Sequence, residues 1–105
     1  MSSEVSEFAA KAGVTARSVR IGDARSRWGS CSSDGRIRLS WRLILAPSEV
    51  RRFVVAHEVA HLRHLDHGPA FKTLESELVG PGLAEASGAL RRLGPRLRRV
   101  GRDGL

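Results

Sequence analysis

His57, Glu58 and His61 fall in the order His-Glu-Val-Ala-His. In a helix, residues four apart lie about 40° from each other round the axis and roughly 6 Å along it. Both imidazoles then point at one ion. Glu58 sits about 100° round, close enough to reach a water on that ion without binding the ion itself. Two neutral imidazoles suit zinc, one per chain, and the glutamate is placed to act as general base on the metal-bound water. That chemistry is hydrolysis of an amide or ester. The plain alternative is a pair of satisfied core histidines with Glu58 in a salt bridge. Against it stands the apolar company: Val50, Phe53, Val54, Val55, Ala56, Val59, Ala60, Leu62 and Leu65 run nearly all round this stretch. A helix of that kind is buried, and burying two histidines and a glutamate there without partners is costly.

Catalytic zinc usually takes three protein ligands and keeps one position open. His64, His67, Glu75 and Glu77 are the candidates for the third. His64 lies near His57 on the helical wheel but about 10 Å further along the axis, so it reads as an outer or structural residue. His67 reaches the metal if the chain turns back near Leu65-Asp66, and Gly68-Pro69 makes a helix stop there. The spacing His57, His61, His67 is that of the pattern H-E-x-x-H-x-x-G-x-x-H, although His64 stands where that pattern has glycine. Glu75 or Glu77 would supply a ligand from the following helix instead.

Other elements must hold this helix. Ser2 to Ala12 places Val5, Phe8, Ala9 and Ala12 on one face and ends at Gly13, as a short helix does. Arg17 to Gly22 and Arg36 to Leu43 alternate apolar and polar residues, the second most clearly, and are expected as an antiparallel pair of strands. Between them, Asp23 to Gly35 reads as a long loop containing the turn signal Ser33-Asp34-Gly35. Ser48 and Glu49 suit a helix start. Pro69 opens a second helix to Leu78, and Leu83 to about Val100 gives a third, interrupted near Gly94-Pro95. The expected class is α+β: a small antiparallel sheet packed on a buried active-site helix, with further helices after it. One domain spans 1–105, with a core at about 17–79 and a basic helical segment at 83–102.

With 105 residues the chain fits one domain with a modest core. Cys31 is the single cysteine, so no intrachain disulfide forms, which points to a reducing, cytoplasmic setting. Met1 to Ala12 has no signal-peptide pattern, and the central apolar stretch Phe53 to Ala56 is too short to span a bilayer. The net charge is +7, from sixteen arginines and two lysines against eleven acidic residues. A polyanion such as DNA is therefore a possible partner, with the arginines at 91, 92, 96, 98, 99 and 102 as one basic patch. A solvated arginine-rich surface is the simpler account, since aromatic residues are few.

Four stretches together resemble the YgjP-like and SprT-like metallopeptidases. They are Arg27-Trp28-Gly29-Ser30-Cys31, Ser40 to Pro47, His57-Glu58-Val59-Ala60-His61-Leu62, and His67-Gly68-Pro69-Ala70-Phe71. The likeness runs from about Val19 to Leu78. It implies zinc held by His57, His61 and His67, Glu58 as the catalytic base, a small antiparallel sheet on the active-site helix, and a protein or peptide substrate. By analogy with the SprT-like relatives it also offers a use for the basic charge, on protein bound to DNA. Two departures stand out. Relatives usually carry a β-rich region ahead of this core, and many have tryptophan where this chain has Lys72.

Hydrolysis also needs a donor for the developing oxyanion. The chain has no tyrosine, which leaves Arg42, Arg27 and His64 as candidates. Cys31 is read as inert packing, or else as a resting-state ligand if its loop covers the metal. Trp28 and Trp41 are expected in core or rim packing. If the strand Arg36 to Leu43 lies at a sheet edge, a peptide can add to it as a further strand.

Overall fold

The computed structural model describes residues 1–23 and 27–99, the side chains of 97–99 excepted. Arg102 and the side chains of Arg98 and Arg99 thus lie outside the described residues. The elements run α1 (Ser2–Ala12), β1 (Ser18–Gly22), β2 (Gly29–Cys31), β3 (Arg36–Ser40), a 3-10 turn (Trp41–Leu45), α2 (Ser48–His61), α3 (Pro69–Val79) and α4 (Leu83–Arg99). This is an α+β fold. Among the described residues, no helix is long and apolar enough to cross a membrane.

The sheet has the order β1-β3-β2 and is mixed. β3 pairs antiparallel with β2 and parallel with β1. This corrects the expected antiparallel pairing of the two clear strands. The Ser32 to Gly35 turn returns the chain not from β1 but from β2, through Gly35 N–H to the Ser32 carbonyl at 3.0 Å. Gly35 has φ 89°, which glycine adopts without strain. β2 thereby takes the antiparallel place beside β3, and β1 reaches the other side by a crossover. β3 is the central strand, so the edge nearest α2 belongs to β2.

Alternation in β3 decides which face is covered. Ile37 and Leu39 are buried, while Arg36 and Arg38 are exposed. The strand ends sooner than the alternation suggests. Ser40 accepts a hydrogen bond from the Arg42 N–H at 3.2 Å and starts the 3-10 turn. The turn brings Arg42 inside, where it is 1% exposed.

α2 packs against α1, α3, α4, β2 and β3, which is why its apolar residues run nearly all round. Val54, Val55, Ala56, Val59 and Ala60 join Phe8 of α1, Ile37 and Leu39 of β3 and Phe71 and Leu74 of α3 in one core. Arg51 fastens α2 to α1 with Nε 3.0 Å and 3.2 Å from the two Glu4 oxygens. Pro69 stands at the start of α3, where its missing N–H has no helical partner to lose. α4 continues through Pro95 without the expected interruption.

Candidate active site

α2 carries His57, Glu58 and His61 on its C-terminal half, and the chain beyond it returns as a tight turn. The N–H groups of Leu62, Arg63 and His64 bond back to the Val59 and Ala60 carbonyls. The Asp66 carboxylate then accepts the Gly68 N–H at 3.3 Å. This turn delivers His67 to the histidines of α2. His67 Nε2 lies 3.0 Å from His61 Nε2, and one donor atom from each of His57, His61 and His67 lies within 4.8 Å of the others. Among the described residues, no fourth histidine, cysteine or acidic group joins this cluster.

The remaining ring nitrogens are already engaged. His61 Nδ1 lies 3.0 Å from the His64 carbonyl, which can only accept, so that nitrogen carries the proton and Nε2 presents a lone pair. His57 Nδ1 is 2.5 Å from Glu75 Oε2 on α3. Glu75 is therefore not a fourth donor but the group that orients His57. This is the arrangement in which a carboxylate or carbonyl fixes the tautomer of a metal-binding imidazole. Glu77 is exposed and takes no part in the group. Phe71 is buried beneath all three rings, with centroids 5.0 Å, 4.5 Å and 4.9 Å from His57, His61 and His67. It closes the site from the core side. Burial is the main influence holding the His61 imidazole below its ordinary pKa, which favours the neutral, metal-binding form.

These residues fit a zinc ion. Two imidazole nitrogens at 3.0 Å need a proton or a cation between them. Tetrahedral zinc with bonds of about 2.0–2.1 Å sets its ligand nitrogens roughly 3.3 Å apart, close to this spacing.

Glu58 lies one residue round α2 from His57, against β2. It is 7% exposed, and burial pushes its carboxyl up to about 7, with the Arg27 charge acting in the opposite direction. No hydrogen bond to Glu58 is present among the described residues. Gly29 of β2 makes this approach possible. A Cβ there would stand 3.0 Å from Glu58 Cγ and 3.2 Å from its Oε2. A cleft of about 300 Å³ opens over His57 and Glu58, walled by Arg27, Trp28 and Gly29 on one side and by Phe53, Val54 and Leu90 on the other.

The family model for the YgjP-like metallopeptidase domain matches residues 1–92, a wider span than the four motif blocks. The chain belongs to the YgjP-like metallopeptidase family. The crystal structure of the metallopeptidase zymogen of Pyrococcus abyssi abylysin has a similar fold, with a TM-score of 0.75 at 22% identity, over 92% of this chain and 94% of that one. Among curated proteins, none matches the sequence significantly.

The three candidate oxyanion donors part company in this YgjP-like domain. Arg27 lines the cleft and acts on Glu58. His64 contributes its main-chain carbonyl to His61. Arg42 does not line the cleft. It is buried, paired with Asp23 and set against the Trp41 ring 4.7 Å away. Cys31 stands outside the histidine cluster. Burial, helped by the charges of Glu58 and Asp34, pushes its thiol to about 11, as suits a packing residue. Trp28 meets Gly94 of α4 at the cleft rim, and Trp41 donates Nε1–H to Asp23 at 3.1 Å.

Proposed function

We propose that this domain is a zinc-dependent peptidase, with zinc held by His57, His61 and His67 and with Glu58 as the catalytic base. One observation carries the reading: three imidazole nitrogens converge beside a buried carboxylate that has no hydrogen bond among the described residues, at an open cleft. Bound at the histidines, zinc supplies Lewis acidity, which polarises a carbonyl and makes water a better proton donor. The chain's own groups do the rest. His64 and Glu75 keep two imidazoles in the binding tautomer. Glu58 accepts the proton of the attacking water and passes it to the leaving amine, a role helped by a carboxyl lifted toward neutral pH. Arg27 is the donor in the cleft for the developing oxyanion.

A peptide is the substrate that fits the surroundings. β2 is an edge strand, and Gly29 borders the cleft, so an extended peptide can pair with β2 and lay a carbonyl beside the histidines. The expected substrate edge is thus β2 and not the central strand β3. The same chemistry would also cleave other amides or esters, but the strand edge favours a main chain.

The test is zinc content together with hydrolysis of casein and of short peptides, for the wild type and for Glu58→Gln. We expect one zinc per chain in both proteins and hydrolysis in the wild type alone. Loss of zinc on replacing His67, against weakened but retained zinc on replacing Glu75, separates the ligand from its orienting neighbour. Full activity in Glu58→Gln would sink the proposal.

A further inference from the structure

The face of the sheet turned away from α2 holds a second concentration of charge. Strand register puts Ser18 opposite Arg36 and Arg20 opposite Arg38, with Ser30 of β2 next to Arg38 on the other side. Arg17, Ser18, Arg20, Arg36 and Arg38, with Ile37, line a shallow groove of about 390 Å³. Four guanidinium groups meet there, against one carboxylate among the described residues, that of Asp34. Asp34 holds Arg36 at 3.2 Å and Arg17 at 3.6 Å, both at the turn end of the strands. Arg20 and Arg38 have no acidic partner among the described residues.

Like charges directly opposite on neighbouring strands destabilise a sheet. An anion bridging Arg20 and Arg38 removes that repulsion and gains two charge-assisted contacts, so the cost in the free protein becomes affinity in the complex. The geometry favours an extended polyanion over a single ion. Strands lie about 4.8 Å apart and alternate residues along one repeat at about 6.6 Å, giving a flat grid of charge and hydroxyl groups. Ser18 and Ser30 stand beside the arginines in the strand register, and Ile37, the apolar residue in the groove lining, is buried, so a lipid surface would find nothing to insert.

We infer that this face binds the phosphodiester backbone of a nucleic acid, through Arg20 and Arg38 with Arg17 and Arg36 alongside. Contacts of this kind read phosphate and not bases, so binding is indifferent to sequence. The face lies across the sheet from the histidine cluster, so a bound strand leaves the cleft open. The inference stands whether or not the chain is a peptidase.

The probe is a fluorescent thirty-base oligothymidylate, titrated with the full chain at several salt concentrations. The wild type should bind at low salt and weaken steeply as salt rises. Arg20→Ser/Arg38→Ser should bind about tenfold or more weakly at low salt. Its slope of log affinity against log salt should be shallower by about 1.4, the value for two lost contacts to a single strand. Arg91→Ser/Arg92→Ser removes the same charge from exposed positions on α4 and should bind much as the wild type does. A melting temperature equal to or above that of the wild type shows that the sheet variant is folded, since the repulsion between Arg20 and Arg38 is gone. Equal losses in the two double variants mean diffuse charge and overturn the inference. So does absence of wild-type binding at low salt, or binding to anionic vesicles in place of the oligonucleotide.

Discussion

On the α3 side of the active-site helix, His57 and His61 each have one ring nitrogen engaged by a fixed acceptor, and a buried phenyl ring supports both. One residue round the same helix, on the β2 side, Glu58 is buried with no hydrogen bond among the described residues. Under the proposed function, the two environments prepare their groups for different work. A metal ligand gains from having its tautomer and direction decided beforehand. A base gains from having nothing to give up when a proton arrives, and from a pKa near the working pH.

The sharpest break of this contrast is Glu58→Gln. The amide keeps the shape but cannot take a proton. Turnover on a peptide should fall about a thousandfold, within the usual reach of a general base, while zinc stays bound. On the α3 side, Glu75→Ala should leave Glu58 untouched and release the Nδ1 of His57. We expect zinc affinity, read by competition with a chelator, to drop about 10- to 100-fold, with turnover restored at saturating zinc. If affinity is unchanged and turnover falls instead, Glu75 belongs with the chemistry and the division fails.

A smaller effect tests how closely β2 confines Glu58. In Gly29→Ala the new methyl meets Glu58 Cγ at 3.0 Å, and Leu39 Cδ2 at 3.2 Å blocks an easy escape. Glu58 must shift by a few tenths of an ångström. Turnover should fall about tenfold at constant zinc content, because a small misplacement of a reacting group is expensive. Equal turnover in the two proteins would show that the carboxylate has room to move.

Much of the histidine side was legible in the sequence, because helical spacing alone sets His57, His61 and Glu58 in relation. The pull of Gly68-Pro69 then suggested the turn that brings His67 back. Glu75 was visible only as a candidate ligand. Its true place, on the far nitrogen of His57, depends on how α3 docks, and spacing does not carry that. β2 escaped because Gly-Ser-Cys has no apolar alternation to announce a strand. Alternation also fixes the faces of a strand but not the direction of its neighbour, so the parallel pairing of β1 with β3 was not legible. Arg42 sat on the polar side of an expected longer strand. The 3-10 turn begun at Ser40 rotates it into the core instead, onto Asp23.

The state of Glu58 can also be read without any substrate. In zinc-free protein its carboxyl has a pKa of about 7, against an ordinary value of 4.5. Between those values the folded chain holds a proton that the unfolded chain has already released. Stability from this group is therefore greatest below pH 4.5, falls as pH rises toward 7, and stays lowered above it. Glutamine carries no such dependence. Zinc-free Glu58→Gln should then melt at the same temperature as the wild type near pH 4.5 and several degrees higher at pH 8. Every other group is common to the two proteins and largely cancels from the difference. A gap that is flat with pH would mean that Glu58 is paired or solvated after all, and the contrast between the two sides of α2 would close.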